Sequence, residues 1–351
     1  VVRVLLLRGT GKADAARRFL EPDATQLSDP FLLTDMRRAV DRIAAARANG
    51  EKVLVFGDYD VDGISGTALL VRGLRRFGIE HSLYGIPNRL VEGYGLSADR
   101  VDWAHALGAT LIITVDNGTA AFDAIARARE LGIDAIVTDH HPIESGVPDA
   151  FAVINPKREP EDHPASNLSG SGVALKLVHA LTGELHDLDL AALGTVADVV
   201  PLTGENRVIV ALGLRHAATV KRAGLSALAA ISRISLDELR SDGIAFQIAP
   251  RINAGGRMGD GLTGLELLLT ESAREACVMA EELDAANEER KSIESETLAE
   301  ALAILKGTFT PEQRSIVLAS RDWHRGVIGI VAGRIQATHY RPVILVALDN
   351  D

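Results

Sequence analysis

The sequence predicts an α/β protein in which a parallel β-sheet, covered by helices, is joined by a long helix to a smaller α/β domain. Short β-branched segments alternate with helical patterns between residues 52 and 155, and one uninterrupted helical pattern occupies residues 271–306. Strands that alternate with helices form βαβ units, whose strands run parallel. A third observation, the acidic and histidine residues that follow the strands, indicates a binding site at one edge of that sheet.

The composition is that of an ordinary globular protein. The 351 residues, 47% hydrophobic and 24% charged, suffice for two packed cores. The formal net charge of -11 argues against a general basic surface that coats nucleic acid, although a local cluster of carboxylates for cations would contribute to it. Because no run of about 18 apolar residues occurs and the apolar start is too short for a signal peptide, we expect a cytoplasmic protein without a membrane segment.

The elements of the first half have recognisable boundary residues. An amphipathic helix is predicted to begin at Asp29 and Pro30 and to end at Gly50. The segments KVLVF, LIITV and DAIVT are predicted strands of the sheet. Gly78 and Gly132 follow helical patterns, where a left-handed C-terminal cap is expected, so two further helices should end there.

The second half is predicted to be mainly helical. NPKREPEDHPASNLSGSG is a loop by composition, and GVALKLVHALTG, LAALGTVADVV and NRVIVALGLRHA follow as helices. Residues 271–306 lack Gly and Pro, so one long helix, which contains the single cysteine Cys277, should bridge two bodies. One cysteine forms no internal disulfide and no cysteine-based zinc site. We therefore place the first domain at 1–270, the connecting helix at 271–306 and the start of a second domain, with strands SIVLAS and PVILVAL, at 307–351.

Three clusters of acidic and histidine residues directly follow three of the predicted strands. They are Asp58, Asp60 and Asp62 in GDYDVDG, Asp116 in TVDNG, and Asp139, His140 and His141 in TDHH. Because the carboxyl ends of parallel strands lie at one edge of a sheet, where open α/β folds bind ligands, we expect the clusters to meet there. Neighbouring carboxylates repel one another unless cations lie between them, so the sequence predicts a divalent-cation site.

Each cluster also has a simpler interpretation. GDYDVDG could be a solvated turn or a calcium loop, although the preceding strand and the lack of a glutamate at the twelfth loop position argue against an EF-hand. Asp116 could be the N-cap of the helix that follows it. Asp139 could be a cap, or a residue that orients a ligating histidine by accepting its N–H. The metal interpretation is favoured because the clusters occur together.

A further aspartate, Asp198, lies in the apolar segment GTVADVVPL. A carboxylate among Val, Ala and Leu is costly to bury unless a cation or several donors accompany it. Together with the clusters it would complete a mixed oxygen and nitrogen site, which suits Mn²⁺ or Mg²⁺ better than a thiolate-bound metal.

Several cationic residues are candidates for phosphate or DNA contacts. In PRINAGGRMGDG the adjacent glycines would let backbone amides approach an anion, with Arg251 and Arg257 as fork donors, or the segment is a tight turn with exposed arginines. His324, in DWHRGVIGIVAGRI, precedes a glycine-containing helix and either contacts a base or phosphate or belongs to a packing loop. Arg89, after the segment HSLYG, is a further phosphate-contact candidate.

The motifs DYDVDG, VDNG, TDHH and the aspartate of GTVADVVPL, in this order and spacing, resemble those of the DHH phosphoesterase superfamily. Within it, LLLRGTGKADAARRFLEPD, DPFLLTDMRRAVDRI, PNRLVEGYGL, PRINAGGRMG and DWHRGVIGIVAGRI resemble the RecJ group of single-stranded-DNA exonucleases, and the match runs through essentially the whole chain. The metal motifs are shared with pyrophosphatases and small-oligonucleotide phosphodiesterases. The leading stretch and PRINAGGRMG are specific to the RecJ group.

The resemblance implies a five-stranded parallel DHH domain, a long connecting helix and a DHHA1 domain that faces it across a cleft. It implies processive 5′-to-3′ degradation of single-stranded DNA in recombination and repair, with two Mn²⁺ or Mg²⁺ ions and with a single-strand-binding protein and a helicase as partners. A short-oligonucleotide or cyclic-dinucleotide phosphodiesterase, or a pyrophosphatase, is the alternative. A non-catalytic replication scaffold is disfavoured because every ligand position except that of Phe56 carries a metal-competent residue.

The family motifs also imply roles for individual residues. The implied ligands are Asp60 and Asp116 for one ion, and Asp62, Asp116, His140 and Asp198 for the other. Asp116 would thus bridge the ions, His141 would contact the scissile phosphate with help from Arg257, and Arg89 would lie near the 5′-phosphate. With these groups we expect in-line hydrolysis without a covalent intermediate.

Two features depart from the family pattern. Phe56 stands four residues before Asp60, where some members carry a metal-ligating histidine, so the first ion is expected either to be loosely held or to depend on Asp58. The family's Gly-rich phosphate-binding segment and its oligonucleotide-binding domain are not found in these 351 residues. We therefore expect a catalytic core whose DHHA1 domain is incomplete at the C-terminus.

Overall fold

A five-stranded, all-parallel sheet organises the first part of the chain in the computed structural model, which describes residues 2–7, 9–259, 261–310 and 312–348. Its strands are β1 Lys52–Gly57, β2 Leu83–Gly85, β3 Ala109–Val115, β4 Asp134–Thr138 and β5 Ala152–Ile154. They lie in the order β2-β1-β3-β4-β5, so the strand order reverses beside β1. The parallel sheet and its five strands are confirmed.

Helices cover both faces of this sheet and continue to the second, smaller sheet. In chain order they are α1 Val2–Leu7, α2 Ala13–Leu20, α3 Met36–Asn49, α4 Val61–Phe77, α5 Ala98–Ala106, α6 Phe122–Glu130, α7 Gly170–Thr182, α8 Leu188–Ala197, α9 Gly204–Val220, α10 Ala223–Ile231, α11 Ser241–Gly243, α12 Ala249–Met258, α13 Leu262–Leu269, α14 Ala273–Thr308 and α15 Ile328–His339. Short 3-10 turns lie at Ala24–Gln26, Pro30–Leu32, Pro156–Arg158 and Leu236–Glu238, and a π-helical turn, Ile244–Ile248, leads into α12.

Alternation along the strands divides the buried side chains between two cores. Val53 and Val55 of β1 face the larger core, which includes residues of α3, α4, α7 and α8, whereas Leu54 and Phe56 face a smaller core under α5 and α6. Side chains of a strand point alternately to opposite faces, and a sheet buried on both faces therefore has a nearly continuous apolar sequence. KVLVF and LIITV have that composition for this reason.

The predicted helix ends at Gly78 and Gly132 are confirmed, since both glycines adopt positive φ angles, 98° and 70°. The predicted start of α3 was wrong: Asp29 accepts a hydrogen bond from the backbone N–H of Phe31 and so caps only a 3-10 turn. The α-helix begins at Met36, after Asp35 has turned the chain with a left-handed φ of 64°. A capping residue followed by proline thus marks a turn as readily as a helix.

The predicted long helix is present as α14, whose 36 residues span about 54 Å. Its first half packs on α10, α12 and α13, and its second half packs on α15 and on the first strand of a two-stranded parallel sheet, β6 Ile316–Ser320 and β7 Val343–Ala347. A separate small core lies there, around Trp323. The division at 270 and 306 stays a prediction. Among the described residues, no helix is long and apolar enough to span a membrane.

Candidate metal centre

The register of the sheet brings three of the predicted aspartates to one edge. The backbone N–H of Asp58 donates to the carbonyl of Val115, at 3.2 Å, and that of Asp116 donates to Thr138, at 2.9 Å. The N–H of Asp139 donates in the same way to the carbonyl of Ile154 in β5, at 3.1 Å. Each aspartate is therefore the first residue beyond the paired part of its strand, at the edge where β1 and β3 diverge and where such sheets bind ligands.

The structure brings all five predicted ligands together and places Asp58, the further candidate, beside them. Three groups of side chains have ligand atoms that lie within 4.8 Å of one another: Asp58, Asp60 and Asp116; Asp62, His140 and Asp198; and Asp116, His140 and His141. Asp116 and His140 each belong to two groups. The first two groups divide the residues as the family motifs imply, with Asp58 beside the first ion position, although the assignment of ligands to ions stays a prediction.

Four polar atoms of this cluster are buried without a hydrogen bond to any described residue: Asp58 Oδ1, Asp116 Oδ1, His140 Nε2 and Asp198 Oδ2. His140 Nε2 lies 3.1 Å from Asp116 Oδ1 and 3.6 Å from Asp198 Oδ2. An unsatisfied buried polar group costs about 1–3 kcal/mol, so native proteins rarely leave several together. Carboxylate oxygens with one imidazole nitrogen are ligands suited to Mn²⁺ or Mg²⁺.

The charges of the cluster indicate the same need for cations. Burial, together with the charge of Asp60, raises the pKa of Asp58 to about 7, and burial raises the pKa of Asp198 to about 7. The pKa of Asp116 is also raised, mainly by burial. Burial lowers the pKa of His140, which favours the neutral imidazole that binds metals. Without cations, burial and mutual repulsion therefore oppose ionisation of these aspartates.

Asp62 is held by the start of helix α7. Its carboxylate oxygens accept hydrogen bonds from the backbone N–H groups of Gly170, at 2.6 Å, and Ser171, at 3.0 Å. The N-terminus of a helix favours a carboxylate because its N–H groups are unpaired and its dipole is positive there. Gly194 of α8 packs so closely that a Cβ atom would lie 2.3 Å from Asp62 Oδ1. The side chain of Asp62, a candidate ligand, is thus held in place by the backbone at the start of α7 and by the close approach of Gly194 in α8.

We expect Gly194→Ala to weaken cation binding and to destabilise the fold. A Cβ at this position must displace buried groups, which costs about 1–3 kcal/mol of unfolding free energy. Disturbing the residues that hold a ligand lowers metal affinity by about 10–100-fold. Urea unfolding and Mn²⁺ calorimetry measure the two effects. Gly333→Ala on α15, where an added Cβ would meet nothing within 4 Å, is the matched control. It should leave the Mn²⁺ affinity unchanged and, because alanine favours a helix interior, should raise the unfolding free energy by about 0.5–1 kcal/mol. An unchanged Mn²⁺ affinity in Gly194→Ala would contradict the prediction.

Asp116 has a left-handed backbone conformation, with φ of 63°. Non-glycine residues adopt this conformation at a cost that neighbouring contacts must offset. The hydroxyl of Tyr94 donates to the carbonyl of Asp116 at 2.8 Å, and the side-chain amide of Asn117 donates to Val115 and Phe56 carbonyls. The N-cap interpretation of Asp116 was wrong, because α6 begins only at Phe122.

Asp139 orients His141. One of its oxygens lies 2.8 Å from His141 Nδ1 and also accepts from the backbone N–H of His140, and its other oxygen accepts from Thr119. Although burial opposes it, the bond from His141 lowers the pKa of Asp139 to about 2, and the same bond raises the pKa of His141. The orienting interpretation of Asp139 is therefore supported, with His141 rather than His140 as its partner.

The glycine-rich segment PRINAGGRMGDG was predicted to expose backbone amides to an anion, and this was wrong for the part that forms α12, Ala249–Met258. The glycines serve packing instead: a Cβ on Gly256 would lie 3.1 Å from the carbonyl of Tyr59, the residue between Asp58 and Asp60. A helix interior satisfies its own N–H groups, so these amides are not available to a phosphate. Helix α12 can approach the metal centre closely because Gly256 has no side chain at the contact with Tyr59.

The predicted phosphate-contact residues occupy different surroundings. Arg257 is largely buried, which lowers its pKa, and it donates to the carbonyl of Gly326 at 3.3 Å. His324 Nδ1 accepts from the N–H of the same Gly326, so both residues meet where the two α/β parts touch. Arg89 stacks on the Tyr59 ring at 4.7 Å. Arg251 instead forms an ion pair with Asp284 of α14 at 2.8 Å, which gives it a structural contact. The phosphate contacts themselves stay predictions.

Phe56, at the position of the family histidine, is fully buried in the core under α5 and α6. Its ring packs near Gly85 and offers no ligand atom. Asp58 lies instead in the group with Asp60 and Asp116, in line with the expectation that the first ion depends on Asp58. In the DWHRG segment, Trp323 is buried and bonds to Glu300, so for this residue the packing interpretation is correct.

Comparison with known proteins identifies relatives of this chain. The family model described as "DHH family, N-terminal domain" matches residues 52–197. The single-stranded-DNA-specific exonuclease RecJ of Bacillus subtilis strain 168 is 40% identical over 353 residues, covering 100% of this chain and 45% of that protein. A crystal structure of exonuclease RecJ bound to manganese matches with a TM-score of 0.82 and 38% identity, over 92% of this chain and 81% of that one.

RecJ from Thermus thermophilus, in complex with Mn²⁺, matches with a TM-score of 0.84 and 35% identity, over 98% of this chain and 49% of that one. The chain thus spans about half the length of this structure and of the Bacillus relative. Similarity at this level extends through both α/β parts and not only the metal motifs. The chain therefore belongs to the DHH family, in its group of RecJ proteins.

Proposed function

We propose that this chain is a metal-dependent phosphodiesterase that degrades single-stranded DNA from the 5′ end, in recombination and repair. The observation that carries the proposal is the group of buried, unsatisfied ligand atoms at the edge of the sheet, which requires cations. The substrate is supported by the relatives named single-stranded-DNA-specific exonuclease and the metals by the RecJ structures with Mn²⁺ and Mg²⁺.

Asp116 and its neighbours would hold two Mn²⁺ or Mg²⁺ ions. Asp58, Asp60 and Asp116 would bind one ion, and Asp62, Asp116, His140 and Asp198 the other. When bound, such a pair of ions activates water at neutral pH and stabilises charge on the attacking and leaving oxygens. The chain itself would supply the fixed spacing, because the carboxylate of Asp116 would serve both positions and the backbone around it is held by Tyr94 and Asn117.

His141 and Arg257 would stabilise the non-bridging phosphate oxygens. The hydrogen bond between His141 Nδ1 and Asp139 fixes the orientation of the imidazole and raises the pKa of His141. A preorganised donor of this kind contributes most where water is excluded. Arg257 is held by its hydrogen bond to the carbonyl of Gly326, and because a guanidinium has five N–H donors, it would have others to offer a phosphate.

The route of the strand and the cellular setting are parts of the same proposal. A cleft between the sheet edge and the second α/β part, too narrow for a duplex, would select single strands, with Arg89 near the 5′-phosphate. Activity in the cytoplasm, with a single-strand-binding protein and a helicase as partners, fits a nuclease that needs unwound DNA. Electrostatic binding by the few basic residues of the cleft should weaken as salt increases.

Degradation of a 5′-phosphorylated single-stranded oligonucleotide, labelled at its 3′ end, tests the proposal. We expect mononucleotide release with Mn²⁺, none with EDTA, and none from a blunt duplex. A 5′-labelled oligonucleotide blocked at its 5′ end reports polarity, since attack from the 3′ end would still degrade it. Activity confined to pyrophosphate, cyclic dinucleotides or dinucleotides would replace this proposal with the small-substrate alternative.

We expect Mn²⁺ to raise the melting temperature of the protein and EDTA to reverse the rise. A ligand that binds only the folded state at 100 times its Kd adds about 2.7 kcal/mol of unfolding free energy. Differential scanning calorimetry across a Mn²⁺ series measures the shift. The matched control is Asp198→Asn, which removes one charged ligand and should need a higher Mn²⁺ concentration for the same shift. A melting temperature that does not change with Mn²⁺ would contradict the metal centre.

A further inference from the structure

A groove borders the metal centre on the side of His141, and the reaction described above does not use it. It is a cavity of 320 Å³, which we call the aromatic groove. Its lining includes Tyr94, Thr119, Phe122, Asp139, His141 and Pro142. A second cavity, of 370 Å³, shares Tyr94, Ala120 and Phe122 with it. The groove therefore begins at residues of the metal centre and continues past the ring of Phe122.

Three unsaturated rings present accessible faces in the aromatic groove. Tyr94 is 50% exposed and Phe122 is 40% exposed, and the side chain of His141 is 43% exposed. The chain has only 8 Phe, 4 Tyr and 2 Trp residues. Two exposed aromatic rings in one cavity beside the metal centre are therefore more than this composition would place there by chance. Phe122 begins helix α6 and is not part of a hydrophobic core. Core packing therefore does not explain why a large apolar ring stands there.

Beyond His141, the charge of the groove disfavours a phosphate chain as its occupant. The residues that line the two cavities include no lysine or arginine, but they include Asp123, Asp139 and Glu144. Carboxylates repel phosphates, whereas they tolerate the neutral ring of a base and can accept hydrogen bonds from its amino group. An uncharged aromatic group, tethered to a phosphate at the metal centre, could stack on the exposed rings and would not be repelled by the carboxylates.

We propose that the aromatic groove binds the base of one of the two nucleotides that the scissile phosphate joins. This inference rests on the proposed function and adds a base subsite to it. His141 links the two sites: it lines the groove, and it also belongs to a candidate ligand group with Asp116 and His140. Stacking on aromatic side chains is tolerant of sequence because every base has a π-face, which suits an enzyme that must release any nucleotide in turn.

The test compares wild type with Phe122→Ala on three 5′-phosphorylated oligonucleotides, one unmodified and two with an abasic residue at the first or second position. We expect Phe122→Ala to lower kcat/KM on the unmodified strand by about 5–150-fold, mainly through KM, as loss of one stacked base does. On the oligonucleotide with the abasic residue at one of the two positions, kcat/KM of wild type should fall to the value that Phe122→Ala shows on the unmodified strand. The kcat/KM of Phe122→Ala should not fall further on that oligonucleotide. Phe122→Tyr should restore wild-type behaviour because it keeps the aromatic face.

Binding measurements keep the inference testable if the chain hydrolyses nothing. With Mn²⁺ present, wild type should bind deoxyadenosine 5′-phosphate at least about 5-fold more tightly than deoxyribose 5-phosphate, and Phe122→Ala should lose this preference. Leu107→Ala, an exposed apolar residue just past the end of α5, is the control and should keep it. Equal losses on all three oligonucleotides, or no preference for the base in wild type, would overturn the base subsite. Inactivity of wild type on every oligonucleotide would instead contradict the proposed function.

Discussion

Asp116→Asn should abolish turnover while leaving the protein folded. Asp116 lies in one candidate ligand group with Asp58 and Asp60, and in another with His140, which also belongs to the group of Asp62 and Asp198. Its loss should therefore disturb both ion positions. Removing a single group that stabilises transition-state charge costs about 10²–10³ in kcat, and a residue shared by two ions should cost no less. The measurement is kcat on the labelled single strand at saturating Mn²⁺.

Asparagine at position 116 removes the carboxylate without disturbing the backbone, so that a loss of activity is not caused by unfolding. Asp116 has a φ of 63°, which asparagine adopts far more readily than alanine does, so the left-handed backbone is kept. Since burial and neighbouring carboxylates oppose the charge of Asp116, the variant in EDTA should melt at or above the temperature of wild type. Asp116→Ala should be equally inactive but less stable. Activity above a few per cent in either variant would contradict the role of Asp116.

Asp14→Asn is a matched control for this experiment. Asp14 lies in the first turn of α2, exposed to solvent and outside the candidate ligand groups. The substitution makes the same chemical change and the same change in net charge as Asp116→Asn. Its kcat and its Mn²⁺-dependent rise in melting temperature should equal those of wild type, so that any loss in Asp116→Asn reflects the position of that carboxylate and not the charge of the protein.

The sheet and the clustering of the candidate ligands were predictable because their signals are local. β-Branched segments that alternate with helical patterns predict a parallel sheet, and acidic residues directly after the strands predict what its edge binds. Asp58, Asp116 and Asp139 lie at the same edge of the sheet because each directly follows its strand and the three neighbouring strands are parallel and in register. Length and composition likewise predict α14, since a long segment without Gly or Pro has few other structures available.

The errors arose where tertiary contacts decide the conformation. Two adjacent glycines have poor helix propensity, yet they lie inside α12 because Gly256 packs against the backbone of Tyr59. Sequence reasoning also missed Gly170, Ser171 and Gly194, which fix Asp62 through backbone N–H groups and through the absence of a side chain. Such contributions leave no chemical signature in a single sequence.

Tyr94 and Asn117 were missed for a related reason. Both lie in segments that were singled out, NRLVEGYG and TVDNG, but their contacts with the backbone of Asp116 and its neighbours depend on a loop that no periodicity describes. Their roles become visible only with the φ of Asp116, because a strained residue implies groups that hold it. Polar residues next to a predicted ligand are therefore the place to look for such supports.

Arg222→Ala should be the most destabilising single substitution of a charged residue outside the metal centre. Arg222 is buried and donates to Asp187 at 2.7 Å and to Asp189 at 2.8 Å, two buried carboxylates at the start of α8. Removing one partner of a buried ion pair costs about 3–5 kcal/mol, because the remaining charges stay buried. Arg76 and His216 also contact these carboxylates and should limit the loss to that range.

The loss should depend on pH with a defined sign. Although burial opposes it, bonds from Arg222 and its neighbours lower the pKa values of Asp187 and Asp189, so their stabilisation is present above the pKa of an unfolded aspartate, about 3.9, and is lost as pH falls through the folded values. Without Arg222 the two pKa values are lowered less. The difference in unfolding free energy between wild type and variant should therefore be largest near neutral pH and should shrink below about pH 4.

Urea unfolding in EDTA from pH 3 to pH 7.5 tests both statements without interference from cations. The matched control is Arg240→Ala, which removes an arginine that lies 3.7 Å from Asp242 on the exposed surface. Exposed ion pairs contribute about 0–1 kcal/mol, so this variant should differ little from wild type at any pH. A loss in Arg222→Ala no larger than in Arg240→Ala, or one that grows on acidification, would show that the buried arginine does not hold α8. Asp198 lies directly after the last residue of that helix, so the destabilised variant should also bind Mn²⁺ more weakly than the control does.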